Sequence, residues 1–225
     1  MLNAEILEIL SKSRRFGWVL EPDAKRILSL SGITVPPFTL AKTIEEALKF
    51  AEENGYPVVS KVVSPEVVHK TEVKGVVLGI HDKAALAETF HRLNSFDGAR
   101  GVLVEKPVQG IEMIIGAKID FQFGPVILMG MGGTGVEIYK DTSLRMAPIT
   151  PEDVLSMLKG LKAHRLFTGY RGAEPINQDA LCRMLVAFSQ LIMTLDEKVS
   201  SIDLNPVFCS PESCVVGDAR IMLPP

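Results

Sequence analysis

Residues Tyr56–Ile80 read YPVVSKVVSPEVVHKTEVKGVVLGI. Tyr56–Val63 is a short valine-rich run with the composition of a buried strand, and it carries Lys61 near its end. Gly75–Ile80 is a second strand. Between them, Ser64–Lys74 is a charged loop containing His69, Lys70 and Thr71 and no glycine.

Helices flank this pair of strands. Thr43–Gly55 has the marks of a complete helix: Thr43 as N-cap, Glu46 three residues on, and Gly55 at the close. Asp82 caps a second helix ending near Asn94, and Ala99–Val108 is the next strand. Further upstream, Pro22 suits a first helical turn, and Ala24, Ile27, Leu28 and Leu30 form an apolar stripe that Gly32 ends. The first half thus alternates strands and helices, as an α/β or α+β unit does.

The second half has a different rhythm. Ile111–Asp120, Pro125–Gly130 and Gly135–Lys140 are closely spaced strands, a pattern that predicts an antiparallel meander. Helices capped by Thr150 and Asn177 follow, and Val199–Leu223 reads as a hairpin. The expected division is an N-terminal arm at 1–20, a first subdomain at 21–109 and a second at 110–225.

At 225 residues there is room for one large domain or two small ones. Hydrophobic residues are 47% and charged residues 23%, an ordinary globular mixture. A net charge of −3 argues against a general nucleic-acid binder but allows a nucleotide pocket. No apolar run reaches the ~20 residues of a membrane span, and the N-terminal residues lack the marks of a secretory signal, so a cytoplasmic protein is expected. Cys182, Cys209 and Cys214 fit no zinc or redox spacing and are expected to be reduced, partly buried thiols.

Two segments invite chemistry. On a strand, Asp203 and Asn205 point to one face. If Pro211 and Glu212 make a two-residue turn, Ser210 lies opposite Ser213 and Asn205 opposite Asp218. Asp203, Asn205 and Asp218 would then form an oxygen-donor patch suited to Mg²⁺. A slip of one residue would send Asp218 to the other face, and solvated turn carboxylates are the plain alternative. Second, Gly130–Gly135 reads GMGGTG and formally contains G-x-G-x-x-G. No helix start follows it, which excludes a dinucleotide-binding fingerprint. A tight turn or a close backbone approach is expected there, with Glu137 beyond it.

Taken in order, YPVVSKVVSPEVVHKTEVKGVVLGI, the segment from Gly101 to Ile149, and SIDLNPV resemble the nucleotide-binding part of ADP-forming acyl-CoA synthetases, relatives of succinyl-CoA synthetase. The resemblance runs from about Leu20 to the C-terminus. It implies an α+β ATP-grasp fold with ATP or ADP held between two subdomains. It also implies that the chain is the β subunit of an acetate–CoA ligase working with a CoA-binding α subunit, as an α2β2 assembly. Under it, Lys61 contacts nucleotide phosphates, and Glu105, Lys106, Pro107 and Val108 form the adenine-reading hinge. Glu112 is a candidate for the ribose, and Arg145 and Arg220 for the phosphates. Asp203, Asn205 and Asp218 match the Mg²⁺ positions.

Many ATP-grasp proteins cover the phosphates with a glycine-rich loop; here His69-Lys70-Thr71 stands in that place, as in the acyl-CoA synthetase branch. In that branch the histidine is implicated in phosphoryl relay. A neutral imidazole nitrogen can attack phosphorus, and Lys70 and Lys74 can offset the resulting charge. His81, His91 and His164 have no partner motif. A succinyl- or malyl-CoA ligase subunit, or a nucleotide-sensing module without chemistry, remain the alternative readings.

Overall fold

The computed structural model describes residues 3–133 and 141–224. The chain divides into two compact units, residues 36–108 and residues 1–35 with 109–225.

The smaller unit is a four-stranded antiparallel sheet built from β2 (Phe38–Ala41), β3 (Val58–Val63), β4 (Val76–Ile80) and β5 (Gly101–Glu105), in the order β2-β5-β3-β4. Two helices, α3 (Ile44–Asn54) and α4 (Lys83–Asn94), cover one face. Both start where the sequence places a cap: the Thr43 side chain accepts from the Glu46 N–H, and Asp82 accepts from the Ala85 N–H. Each such cap contributes about 1 kcal/mol. Val58, Val62, Val102, Val104 and Ile80 pack against Ala47, Phe50 and Ala51 of α3 and Leu86, Phe90 and Leu93 of α4. Alternation along β3 and β5 sends Val59, Lys61, Leu103 and Glu105 to the opposite face.

The larger unit has helices α1 (Ala4–Ser13), α2 (Glu21–Leu30), α5 (Pro151–Gly160), α6 (His164–Phe167) and α7 (Gln178–Leu195). Its strands are β1 (Trp18–Val19), β6 (Ile111–Asp120), β7 (Gly124–Met131), β8 (Thr142–Met146), β9 (Ser201–Cys209), β10 (Cys214–Val216) and β11 (Ala219–Met222). Their order is β1-β11-β9-β6-β7-β8, with β10 also on β9, and every pairing is antiparallel. Leu181, Leu185, Phe188 and Ile192 run along the buried stripe of α7 and join a core with Ile115, Ile127, Met129, Ile202, Leu204 and Ile221. A reciprocal capping box between Thr150 and Asp153 starts α5, and Asn177 caps α7.

This division differs from the expected arm at 1–20 and subdomain from 21. The first thirty residues belong with the C-terminal half because their apolar residues are buried there. Ile6, Ile9 and Leu10 of α1 and Ala24, Ile27 and Leu28 of α2 lie in the larger core. β1 pairs with β11, Trp18 opposite Met222. Strand β8 was not expected, and the strand expected at 135–140 lies outside the described residues.

Candidate functional site

In the smaller unit, Val59 pairs with Glu105 and Lys61 with Leu103, so Lys61 and Glu105 are diagonal neighbours on one face. Their side chains meet, Lys61 Nζ to Glu105 Oε1 at 2.9 Å, with 7% and 5% exposure. A charged pair this deeply buried is held because its attraction offsets the desolvation of both ions. The neighbouring lysine behaves differently. Lys106 donates through Nζ to the Gly55 and Pro57 carbonyls at 2.8 and 3.2 Å, and its backbone N–H donates to the Pro37 carbonyl. Its charge therefore braces the α3–β3 turn against the end of β5. Pro107 is exposed and Val108 half-buried in the coil that follows.

The loop after β3 is fastened at its ends. Ser64 donates through Oγ to the Asp97 carbonyl, and the Gly75 N–H donates to the Lys70 carbonyl at 2.6 Å. Arg92 donates to the Lys74 carbonyl at 3.0 Å. Between these ties, His69 stands out with a side chain 63% exposed, its Nδ1 3.9 Å from a Glu72 carboxylate oxygen.

In the larger unit, one register runs through the whole hairpin. The Ser210 N–H bonds the Ser213 carbonyl, Cys214 lies opposite Cys209, the Asn205 N–H bonds the Asp218 carbonyl, and Arg220 lies opposite Asp203. This is the register expected from a Pro211-Glu212 turn. Asp203 and Asn205 flank the fully buried Leu204, so they point away from the core. Asp203, Asn205, Asp218 and Arg220 therefore share the helix-free face of the sheet. Arg220 Nη2 is 3.4 Å from Asp203 Oδ2. Burial raises the Asp203 carboxyl above the usual range, and Arg220 pulls it partly back.

The same face continues onto β6, where Gly116 lies directly opposite Asp203. Between Met113 and Ile115 the pairing shifts, with Asn205 and Pro206 set against the single Ile114. The bulge switches the parity of β9, so Val207 joins Leu204 in the core and Glu112, opposite Phe208, lies on the helix-free face. The glycine run closes on this residue: the Gly132 N–H donates to the Glu112 carbonyl at 2.7 Å. A Cβ on Gly132 would stand 2.7 Å from the Glu112 carbonyl carbon, so the close backbone approach expected at these glycines is made to Glu112. Thr134, Gly135 and Glu137 lie outside the described residues.

Arg145 is not brought to this face. It lies opposite the buried Ile127, and its guanidinium donates to Ser156 Oγ of α5 and to the Leu144 carbonyl. Alternation along β8, a strand that was not expected, decides its direction. Arg220 occupies the position beside Asp203 instead. Gly116 was passed over by sequence reasoning. A glycine inside an otherwise apolar strand marks a place of close approach, and here it leaves the sheet bare beside Asp203.

A family model described as the ATP-grasp domain matches residues 10–223. The chain belongs to the ATP-grasp family. Within it, the chain is 41% identical to the β subunit of acetate–CoA ligase (ADP-forming) I of Pyrococcus furiosus, over 98% of both chains. It is also 41% identical to acetate–CoA ligase (ADP-forming) I of Archaeoglobus fulgidus, covering 97% of this chain and 33% of that longer one. An acetyl-coenzyme A synthetase from Ca. Korarchaeum cryptofilum, solved with coenzyme A and Mg-AMPPCP and with its phosphohistidine segment pointing towards the nucleotide site, superimposes with a TM-score of 0.87. It is 36% identical and covers 97% of this chain and 100% of that one.

ATP-grasp proteins use Mg²⁺ with their nucleotide, and the donor set here suits that ion. Two carboxylates and one amide oxygen are hard donors on a common face. Among the described residues no group of three or more His, Cys, Asp or Glu could hold a metal on its own. Mg²⁺ commonly takes one or two carboxylates and completes its shell with waters and phosphate oxygens.

Proposed function

We propose that this chain is the nucleotide-binding subunit of an ADP-forming acetyl-CoA synthetase. With a CoA-binding α subunit it interconverts acyl-CoA, ADP and phosphate with acid, CoA and ATP, in an α2β2 assembly. The observation that carries the reading is the single register that sets Asp203, Asn205 and Asp218 on one open face beside Arg220. The relatives that match end to end support it, since they are named β subunits of such ligases.

In this reading Mg²⁺ supplies charge neutralisation for the phosphates when bound. Asp203 and Asp218 hold it as carboxylates and Asn205 through its amide oxygen. Arg220 gives up Asp203 for a phosphate oxygen, an exchange eased by the 3.4 Å length of the present contact. Glu112 accepts from ribose hydroxyls. Lys61, paired with Glu105, faces phosphate oxygens, and the backbone of Glu105–Val108, apart from the Lys106 N–H already given to the Pro37 carbonyl, reads the adenine edge. Positioning and charge stabilisation supply most of what phosphoryl transfer needs.

His69 carries the phosphoryl group. Its exposed imidazole has Nδ1 3.9 Å from a Glu72 carboxylate oxygen, and Nε2 is the nitrogen assigned to the attack. Nε2 attacks the phosphorus of a phosphohistidine on the α subunit, the N–P bond there breaks, and that imidazole recovers its lone pair. A second transfer from Nε2 to the terminal oxygen of ADP makes ATP and restores His69.

The test is labelling with γ-labelled ATP and Mg²⁺, with and without the α subunit. Wild type acquires an acid-labile, alkali-stable phosphoryl group, and His69→Ala does not. Equal labelling of the two, or none in either with the partner present, defeats the relay. Asp218→Ala loses Mg²⁺-dependent nucleotide binding; unchanged binding and turnover defeat the metal assignment.

A further inference from the structure

The cysteines take no part in the reading above, and two of them face each other. Cys209 ends β9, Cys214 begins β10, and they are direct cross-strand partners. The hydrogen bonds fix what kind of pair they form. The Ser210 N–H donates to the Ser213 carbonyl at 2.8 Å, and further along the ladder the Gly217 N–H donates to the Pro206 carbonyl at 2.8 Å. Bonded and non-bonded pairs alternate along an antiparallel ladder, so Cys209 and Cys214, next to Ser210 and Ser213, form a non-hydrogen-bonded pair. Such a pair holds its Cα atoms ~4.5 Å apart and brings its side chains close together. That separation lies within the range of about 4.4–6.8 Å that a disulfide spans.

Both side chains belong to the core of the larger unit, at 0% and 3% exposure. Cys209 Sγ lies 3.6 Å from Met113 Sδ, and Cys214 Sγ lies 3.9 Å from the Asn177 carbonyl oxygen. The Cys209 thiol is pushed up from its ordinary range by a hydrogen bond with Cys214 and then by burial. Cys182, on α7, turns its thiol to the Pro151 carbonyl at 3.8 Å.

We infer that Cys209 and Cys214 are a redox modification site that closes to a reversible disulfide across the hairpin. The inference is independent of the nucleotide reading. The oxidant is a small-molecule disulfide. One cysteine gives up its proton, and its sulfur attacks the oxidant, releasing one small thiolate and leaving a mixed disulfide. The sulfur of the other cysteine, deprotonated in turn, attacks the first, the mixed bond breaks, and the second small thiolate leaves. Two protein thiols are oxidised, the small disulfide is reduced to two thiols, and the two protons go to them.

The attacking form is the thiolate, so a buried pair that holds its protons reacts when the turn opens. The turn is open to solvent at Pro211 and Glu212, and a cavity of about 410 Å³ beside it is lined by Cys209, Ser210, Glu174 and Ile176. Asn205 and Asp218 stand on the two arms of this hairpin, so the bond fixes covalently the register that sets them together.

The test equilibrates the full chain with oxidised and reduced glutathione, folded and in urea, and counts free thiols by alkylation and mass. The oxidised folded chain keeps one alkylatable thiol of its three, loses the mass of two hydrogens, and regains all three thiols with dithiothreitol. Because the fold preorganises the pair, the equilibrium constant for closure is at least about ten-fold larger in the folded chain than in urea. Cys182→Ser oxidises to leave no free thiol; two free thiols there assign the bond to Cys182 and overturn the inference. Three free thiols in the oxidised folded chain, a persistent glutathione adduct, or equal closure in urea overturns it as well.

Discussion

Among the described residues, each unit carries an ion pair on the helix-free face of its sheet, and the two pairs differ in depth. Lys61 and Glu105 are 2.9 Å apart and 7% and 5% exposed; Arg220 and Asp203 are 3.4 Å apart and 31% and 40% exposed. The first pair has left water, and removing either member takes a buried charge partner from the other. The second keeps water at hand, so either member can change partner at little cost. A fixed cation and an exchangeable one serve different needs: the first holds a charge in place, the second makes room for an ion or a phosphate.

The contrast can be broken at its strong end first. Glu105→Ala is expected to destabilise folding by about 3–5 kcal/mol, read from the urea midpoint, because it leaves a buried ammonium without its carboxylate. Glu105→Gln, which can still accept from Nζ, should recover a substantial part of this. Lys106→Met removes the two bonds to Gly55 and Pro57 and is expected to cost about 1–3 kcal/mol by the same measurement. At the open pair, Arg220→Ala should change stability by less than about 1 kcal/mol and weaken Mg-nucleotide binding roughly ten-fold, measured by calorimetry. An equal loss of stability at Arg220 and Glu105 would erase the distinction. The smallest effect is at Asp153, whose carboxyl is held below the usual range by the Thr150 N–H and then the Thr150 hydroxyl. Its stabilisation is present above the ordinary carboxylate pKa and fades as pH falls through the depressed value. Asp153→Asn should therefore melt slightly below wild type at pH 7, with the gap closing in acid.

Local chemistry made much of this legible in the sequence. Thr43, Asp82, Thr150 and Asn177 all cap the helices assigned to them, because a short polar side chain before an apolar stripe has few other uses. The hairpin register was legible only on the supposition of a turn at Pro211-Glu212; a slip of one residue stayed open, and the pairing of β9 with β10 and β11 excludes it. What stayed hidden depends on distant parts of the chain. Residues 1–35 fold with the C-terminal half because two residues at Trp18–Val19 pair with β11, too short a strand to leave a pattern. That Glu105 lies diagonal to Lys61 and pairs with it is not visible in a linear chain. Arg145 was set among phosphate ligands because the parity of β8 is fixed by β7.

The shared register of β9 and β11 also bears on how such a chain tolerates insertion and deletion. Asp203 and Asn205 sit on one strand, Asp218 past the turn, and a single added residue between Val216 and Asp218 would rotate Asp218 into the core. An insertion there breaks the oxygen set at once, whereas added residues at Pro211–Glu212 lengthen a solvent loop.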